Sequence, residues 1–272
     1  MADPLSGDMT PRREPPAFNV PGPVLFLLLA MVAVHTLLSF ADWPLREQVL
    51  IWFALFPSRY FPEGSQIAHL LPGGFGADIW TPVTYTFLHG GWEHLIANSV
   101  WLLAFGSPLA QRFGALRFFL FYFLCGAAGA FLHVALYPSS DIPVVGASAA
   151  ISGLMGGAAR FVFTAGGPLG ALGGRGAGVP GAPRKRAGIF AALSDRRVLI
   201  FVGVWIGLNF LFGATALSGA LGVTAQVAWE AHLGGFLMGL FVFGLFDPLR
   251  WSPSGGPGNV GYGEWLGDDP RE

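Results

Sequence analysis

Charge is scarce in this chain. Asp, Glu, Lys and Arg make up 11% of its 272 residues, less than half of the roughly 25% carried by soluble domains. Apolar residues make up 53%, and several apolar runs approach the ~20 residues needed to cross a bilayer. An ordinary soluble domain is excluded, and an all-α polytopic membrane protein is expected. Cysteine is nearly absent. Cys125 stands alone in an apolar run, which excludes an intrachain disulfide and a cysteine-based metal site and leaves packing as its role. With a formal net charge of −1 and no basic stripe, nothing points to nucleic acid. The apolar runs also hold no Asp, Glu or Lys at mid-depth, and no half of the chain is duplicated, so the marks of a small transporter are missing.

What is present falls into alternating apolar and polar segments. Residues 1–22 are polar and proline-rich and read as a disordered tail. The first span is expected over Pro23–Phe40, retained rather than cleaved as a signal peptide, with His35 paired inside the bundle. Residues 41–86 mix Trp, Phe and Pro with scattered charges, which suits a folded loop lying partly at the headgroup level. Further spans are expected over Trp92–Ala110, Phe118–Leu136, Ala147–Phe163, Val198–Leu211 and Trp229–Phe246. Residues 166–197 are rich in Gly and Pro and then in Arg and Lys, the composition of a flexible loop. A polar tail occupies 248–272. Residues 23–247 thus form the membrane domain.

Lys and Arg placement sets the orientation. With the N-terminus inside, the inner segments hold Arg112, Arg117, Arg184, Lys185, Arg186, Arg196 and Arg197, among others, while Arg46 and Arg59 alone lie outside. Six spans with both termini cytoplasmic follow. Spans two, four and six then run from outside to inside, and each carries an unusual polar residue near its start: His94 and Asn98, Ser148, and His232. At 1.5 Å rise per residue these lie at one depth. Polar groups inside a bilayer are costly and default to functional candidates.

The chemistry they permit is specific. Serine needs a base to take its proton, and histidine is the usual one near neutral pH. Gly235 and Gly239 form a GxxxG face on the sixth span, a natural partner for the Gly146, Ser152, Gly153 and Gly156 region around Ser148. Close backbones are what a direct Ser148–His232 hydrogen bond requires. No carboxylate is well placed as a third member, since Glu230, two residues from His232, faces elsewhere on the helix, so a dyad is expected. His94 and Asn98, spaced i, i+4, share a helix face and can donate to a developing oxyanion alongside the Ser148 N–H. Their bland alternative is an interhelical hydrogen-bonding pair. A metal site built from His89, His94 and His232 is the weaker alternative, because the His89–His94 stretch is not His-Glu-x-x-His. His133 reads as structural, and Asn209 as bonding to a neighbouring helix.

At these residues the chain resembles the rhomboid intramembrane serine proteases. The resemblance covers roughly Trp80–Leu245 and rests on three motifs in order: His94-Leu-Ile-Ala-Asn98, Gly146-Ala147-Ser148, and Ala231-His232-Leu-Gly-Gly235-Phe-Leu-Met-Gly239. It implies a six-helix rhomboid-like bundle of bacterial type in the plasma membrane, acting as a serine endopeptidase on transmembrane or membrane-anchored protein substrates. Ser148 would be the nucleophile, His232 the base, and His94 and Asn98 the oxyanion stabilisers, with no cofactor and no metal. The fifth helix and the loop after it would correspond to a substrate gate. Three departures stand out. Ala149 replaces the glycine that usually follows the serine. Ser152 stands where a tyrosine often supports the histidine ring, so that support must come from another group. Gln111 falls in a region where a glutamate is common. The rival reading is a non-proteolytic relative that binds membrane helices; retention of both Ser148 and His232 speaks against it. Oligomeric state is left open.

Overall fold

The computed structural model describes residues 20–164, 186–213 and 228–248, together with two short strands near the C-terminus. Expectations for residues 1–19, for the loop 165–185, for the loop 215–225 and for most of the final tail lie outside the described residues. The described chain is a helical membrane bundle. Its first helix, α1 (Gly22–Phe40), matches the first expected span to within a residue. The expected interfacial loop holds α2 (Trp43–Phe53) and α3 (Gly74–Thr84). Next come α4 (Trp92–Trp101) and α5 (Ser107–Phe113), joined by a π-helical turn over Leu102–Gly106. Pro108 has no N–H to give to the Ala104 carbonyl, and the π turn absorbs that gap within one continuous rod.

The remaining helices are α6 (Ala115–Leu136), α7 (Ser148–Ala158), α8 (Ile189–Leu193), α9 (Arg196–Gly213) and α10 (Trp229–Phe246). Among the described residues, α1, α6 and α10 are each long and apolar enough to cross a membrane. The expected fourth span is shorter as a helix than predicted, because beyond Ala158 the chain passes into turns up to Thr164. Residues 186–197, expected as the end of a flexible loop, instead contain α8 and the first turn of α9. Arg197 pairs with Asp195 at 2.8 Å, which fixes that corner. Two-residue strands, β1 (Arg250–Trp251) and β2 (Pro257–Gly258), pair antiparallel beyond the bundle.

The centre of the bundle is α7, whose residues Ala149–Ala158 are all buried. A helix that is apolar on every side belongs in a core, and α6 and α10 enclose this one. The packing is made by missing side chains. A Cβ placed on Gly239 would lie 1.9 Å from the Gly153 carbonyl oxygen, and one on Gly235 would lie 2.0 Å from that of Ala149. Gly156 faces the Phe236 carbonyl at 2.2 Å by the same measure, and Gly129 of α6 faces that of Ala231 at 2.3 Å. Small residues in a membrane let backbones meet in this way, where no hydrophobic drive pushes helices together.

At the end of the bundle away from Ser148, Arg112 clamps the C-terminus of α10. Its Nε and Nη2 each donate to an Asp247 carboxylate oxygen at 2.9 Å, and both side chains are almost wholly buried. Arg186 adds a second cation, its Nη1 3.7 Å from the same carboxylate. Arg160 adds a bond from Nη1 to the Leu240 carbonyl at 2.8 Å. Arginines read from sequence for orientation therefore also tie these helix ends together.

The glycine contacts are directly testable. Gly239→Ala drives a methyl group into the Gly153 carbonyl and should destabilise by about 1–3 kcal/mol or more. The apparent Tm in detergent should drop by several degrees. Gly203→Ala is the control, since nothing lies within 4 Å of a Cβ there, and its Tm should stay at or slightly above the wild-type value.

Candidate active site

Ser148 is the first residue of α7, and the turn that delivers it is held from three directions. Gly146, two residues earlier, has φ +119°, a conformation open to glycine and strained for other residues. Its N–H donates to the Tyr85 carbonyl at 3.0 Å. The Tyr85 hydroxyl in turn donates to the Gly126 carbonyl on α6 at 2.8 Å. Val144 and Leu55 exchange backbone hydrogen bonds of 2.8 and 3.2 Å, an isolated bridge that pins the turn to the loop after α2.

Farther from the bundle, Asp141 caps the 65–68 stretch. It accepts from the Ser65 hydroxyl at 2.5 Å and from the Gln66 N–H at 3.0 Å. These bonds, Ser65 first, hold the Asp141 carboxyl below the usual carboxylate range despite some desolvation. The loop 41–86 is folded, as expected. Arg59 donates to the Pro72 and Ile51 carbonyls at 2.6 and 3.1 Å. Trp80 donates to the Trp52 carbonyl at 2.9 Å and stacks on its ring. This loop therefore acts as the scaffold for the turn before Ser148.

His232 lies in the first turn of α10 and meets Ser148 across the glycine contact. The distance from His232 Nε2 to Ser148 Oγ is 2.7 Å. His232 Nδ1 is in contact with Asn209 Oδ1 of α9, and the Asn209 amide group donates from Nδ2 to the Trp205 carbonyl at 2.8 Å. Asn209 was read from sequence only as a helix-bonding residue. The depth argument could have found it, since the topology expected from sequence puts it in the outer half of the fifth span, at the level of Ser148 and His232.

His94 and Asn98 lie on the opposite side of the same turn. A Cβ on Gly146 would fall 2.7 Å from His94 Nε2 and 3.6 Å from Asn98 Nδ2. Asn98 is buried, and its Nδ2 has no hydrogen-bond partner among the described residues. His89 stands beside His94 with ring centroids 5.2 Å apart, and His35 packs edge-on against Trp92 at 4.6 Å. Among the described residues no three His, Cys, Asp or Glu side chains are placed to hold a metal ion.

Glu230 is buried and turned away from Ser148. It accepts from the Tyr137 hydroxyl at 2.6 Å, and its other oxygen lies 3.6 Å from His133 Nδ1. Ser152 is also buried. Of the residues that depart from the resemblance, Ala149 is buried with its methyl group towards Gly129, where a Cβ would come within 2.7 Å of it. The extra methyl occupies space that a glycine on α6 leaves open.

Comparison with known proteins follows the same boundaries. Residues 76–247 match the family described as Rhomboid domain. RHOMBOID-like protein 1 of Arabidopsis thaliana is 30% identical over 173 residues, covering 64% of this chain and 36% of that protein. Rhomboid-like protease 3 of Toxoplasma gondii is 37% identical over 84 residues, 31% of each. Inactive RHOMBOID-like protein 8 of Arabidopsis thaliana is 37% identical over 102 residues, 35% of this chain and 28% of that protein. The chain spans well under half the length of these curated relatives.

The Asp141 contacts give a pH signature. A carboxyl held below its unfolded value contributes stability above that value and loses it as pH falls through the folded one. Wild type should therefore exceed Asp141→Asn in Tm at pH 7, and the gap should close below about pH 4. Thermal scans of both proteins from pH 7 to 3 check this.

Proposed function

This chain belongs to the rhomboid family, and from that premise we propose that it is an intramembrane serine endopeptidase cleaving transmembrane or membrane-anchored proteins. The observation that carries the reading is the 2.7 Å contact between Ser148 Oγ and His232 Nε2, at the outer ends of two helices whose backbones touch. Its name marks a Toxoplasma gondii relative as a protease. Another relative is named inactive, so a non-proteolytic, helix-binding role stands as the second reading.

In the proposed reaction the Ser148 hydroxyl attacks the scissile carbonyl while His232 Nε2 takes its proton. The carbonyl oxygen becomes an oxyanion, for which Asn98 Nδ2, the His94 ring and the Ser148 N–H are the candidate donors. The unpartnered Asn98 amide supports that role, because a buried donor with no partner is costly until something accepts from it. Collapse of the intermediate expels the amine, which receives the proton back from His232, and leaves an acyl group on Ser148. Water, deprotonated by His232 Nε2, then attacks the acyl carbon; the bond to Ser148 Oγ breaks, Oγ takes the proton back from His232, and the second product leaves as a carboxylic acid.

Substrate reaches the site sideways from lipid, and its helix must unwind, since a helical backbone keeps its carbonyls hydrogen-bonded. Substrates with Gly, Pro or small residues near the cut are therefore expected. The topology that accompanies this reading is six crossings with both termini cytoplasmic, supported by the Arg and Lys placement along the chain. The bacterial plasma membrane is its proposed setting, supported by the form of the motif resemblance alone.

Purified protein in detergent or liposomes, given a fluorescent transmembrane substrate, tests the reading. Cleavage should fall by about 10³-fold or more in Ser148→Ala and in His232→Ala, and by about 10²- to 10³-fold in Asn98→Ala. Undiminished cleavage in both dyad variants would overturn the dyad, and a wild type that binds the substrate without cleaving it would leave the helix-binding reading in its place.

A further inference from the structure

We propose that Asn209 is the positioning residue for His232, so that the site is a Ser148–His232 pair held in orientation from a third helix; this rests on the protease reading above. Three contacts support it. Asn209 Oδ1 meets His232 Nδ1. Asn209 Nδ2 is engaged by the Trp205 carbonyl at 2.8 Å, which fixes the amide so that its oxygen, not its nitrogen, faces the imidazole. Trp205 stacks on Phe236 with centroids 4.6 Å apart, one turn below the histidine. On α9 the pair is Trp205 and Asn209; on α10 it is His232 and Phe236. Both pairs are spaced i, i+4, so the two helices meet through matched rungs, one aromatic and one polar.

The chemistry follows from hydrogen-bond inventory. An amide oxygen only accepts, so the proton on His232 must sit on Nδ1. Nε2 then keeps its lone pair towards the Ser148 hydroxyl, the arrangement a general base requires. When Nε2 takes the proton, the Nδ1–H bond persists and the amide dipole faces the new positive charge. Glu230 does not compete for this place, since it accepts from the Tyr137 hydroxyl at 2.6 Å and its other oxygen lies towards His133 at 3.6 Å. Ser152 offers no ring to support the imidazole, so Asn209 supplies what that position leaves out.

The rest of α9 turns Val204, Ile206 and Leu208 outwards, so the residue that orients the base rides on a helix with an open lipid-facing side. Orientation of the base therefore depends on α9 being docked against α10.

The test compares wild type, Asn209→Leu and Asn209→Asp in the transmembrane-substrate assay, alongside the side-chain 15N spectrum of His232. Leucine keeps the bulk and removes the acceptor; aspartate keeps the acceptor. In Asn209→Leu, kcat should fall about 10- to 100-fold, part of the 10²–10⁴ that general-base catalysis supplies, while KM changes less than about twofold and Tm holds. Asn209→Asp should recover most of the loss. The wild-type spectrum should show Nδ1 protonated and Nε2 bare, and this signature should be lost in Asn209→Leu. A wild-type kcat in Asn209→Leu, or a fallen kcat with the tautomer unchanged, overturns the proposal. Fluorophosphonate labelling of Ser148 is scored separately: if wild type neither labels nor cleaves, the protease reading fails, whereas a normal wild type with an indifferent Asn209→Leu sinks the positioning role alone.

Discussion

The structure depends on the contact between α7 and α10, in which backbone touches backbone because glycine stands where a side chain would intervene. Gly239 lies on the Gly153 carbonyl and Gly235 on that of Ala149. In lipid, helices gain nothing from hiding apolar surface, so tight van der Waals contact and polar bonds must hold them together. That contact fixes the separation of the two helix axes. The separation in turn brings a short serine side chain within reach of an imidazole on the next helix. A bulkier interface would leave the same two residues in the sequence and no bond between them.

Positioning also comes from outside the helix core. Ser148 opens its helix, so no preceding turn of that helix holds it, and the chain before it supplies the rigidity. Tyr85 accepts from the Gly146 N–H while its hydroxyl reaches α6, and Leu55 and Val144 pair through their backbones. The loop 41–86, stiffened by Arg59 and the Trp52–Trp80 stack, is thus a structural arm of the site. Gly146 completes it, because its positive φ lets the chain pass beside the His94 ring.

Much of this was legible in sequence, and the boundary follows physical lines. Apolar runs located α1 and α10 to within one residue and α6 to within three, and a common depth singled out Ser148, His232, His94 and Asn98. The contact between Gly235 or Gly239 and the α7 backbone was legible from spacing, because GxxxG puts both glycines on one face. Asn209 was visible only as a polar residue in a span, since which neighbour it would meet depends on how α9 docks. The Asp141–Ser65 tie joins residues 76 positions apart, and no local pattern announces it. Nor does any pattern tell that Arg112, first read for its charge, closes on Asp247. The turn of α7 into non-helical structure after Ala158 was missed because an apolar run does not mark where a buried helix ends.

The sole cysteine carries a practical consequence. Cys125 is sealed between α6 and α7, its Sγ beside the vacant side of Gly153 and its surface wholly covered. Thiol reagents in water or lipid find nothing to attack in the folded protein. The natural chain is therefore already a silent background for site-directed labelling, and a single cysteine introduced on the outer side of α9 would report that helix's movement without any change to the core.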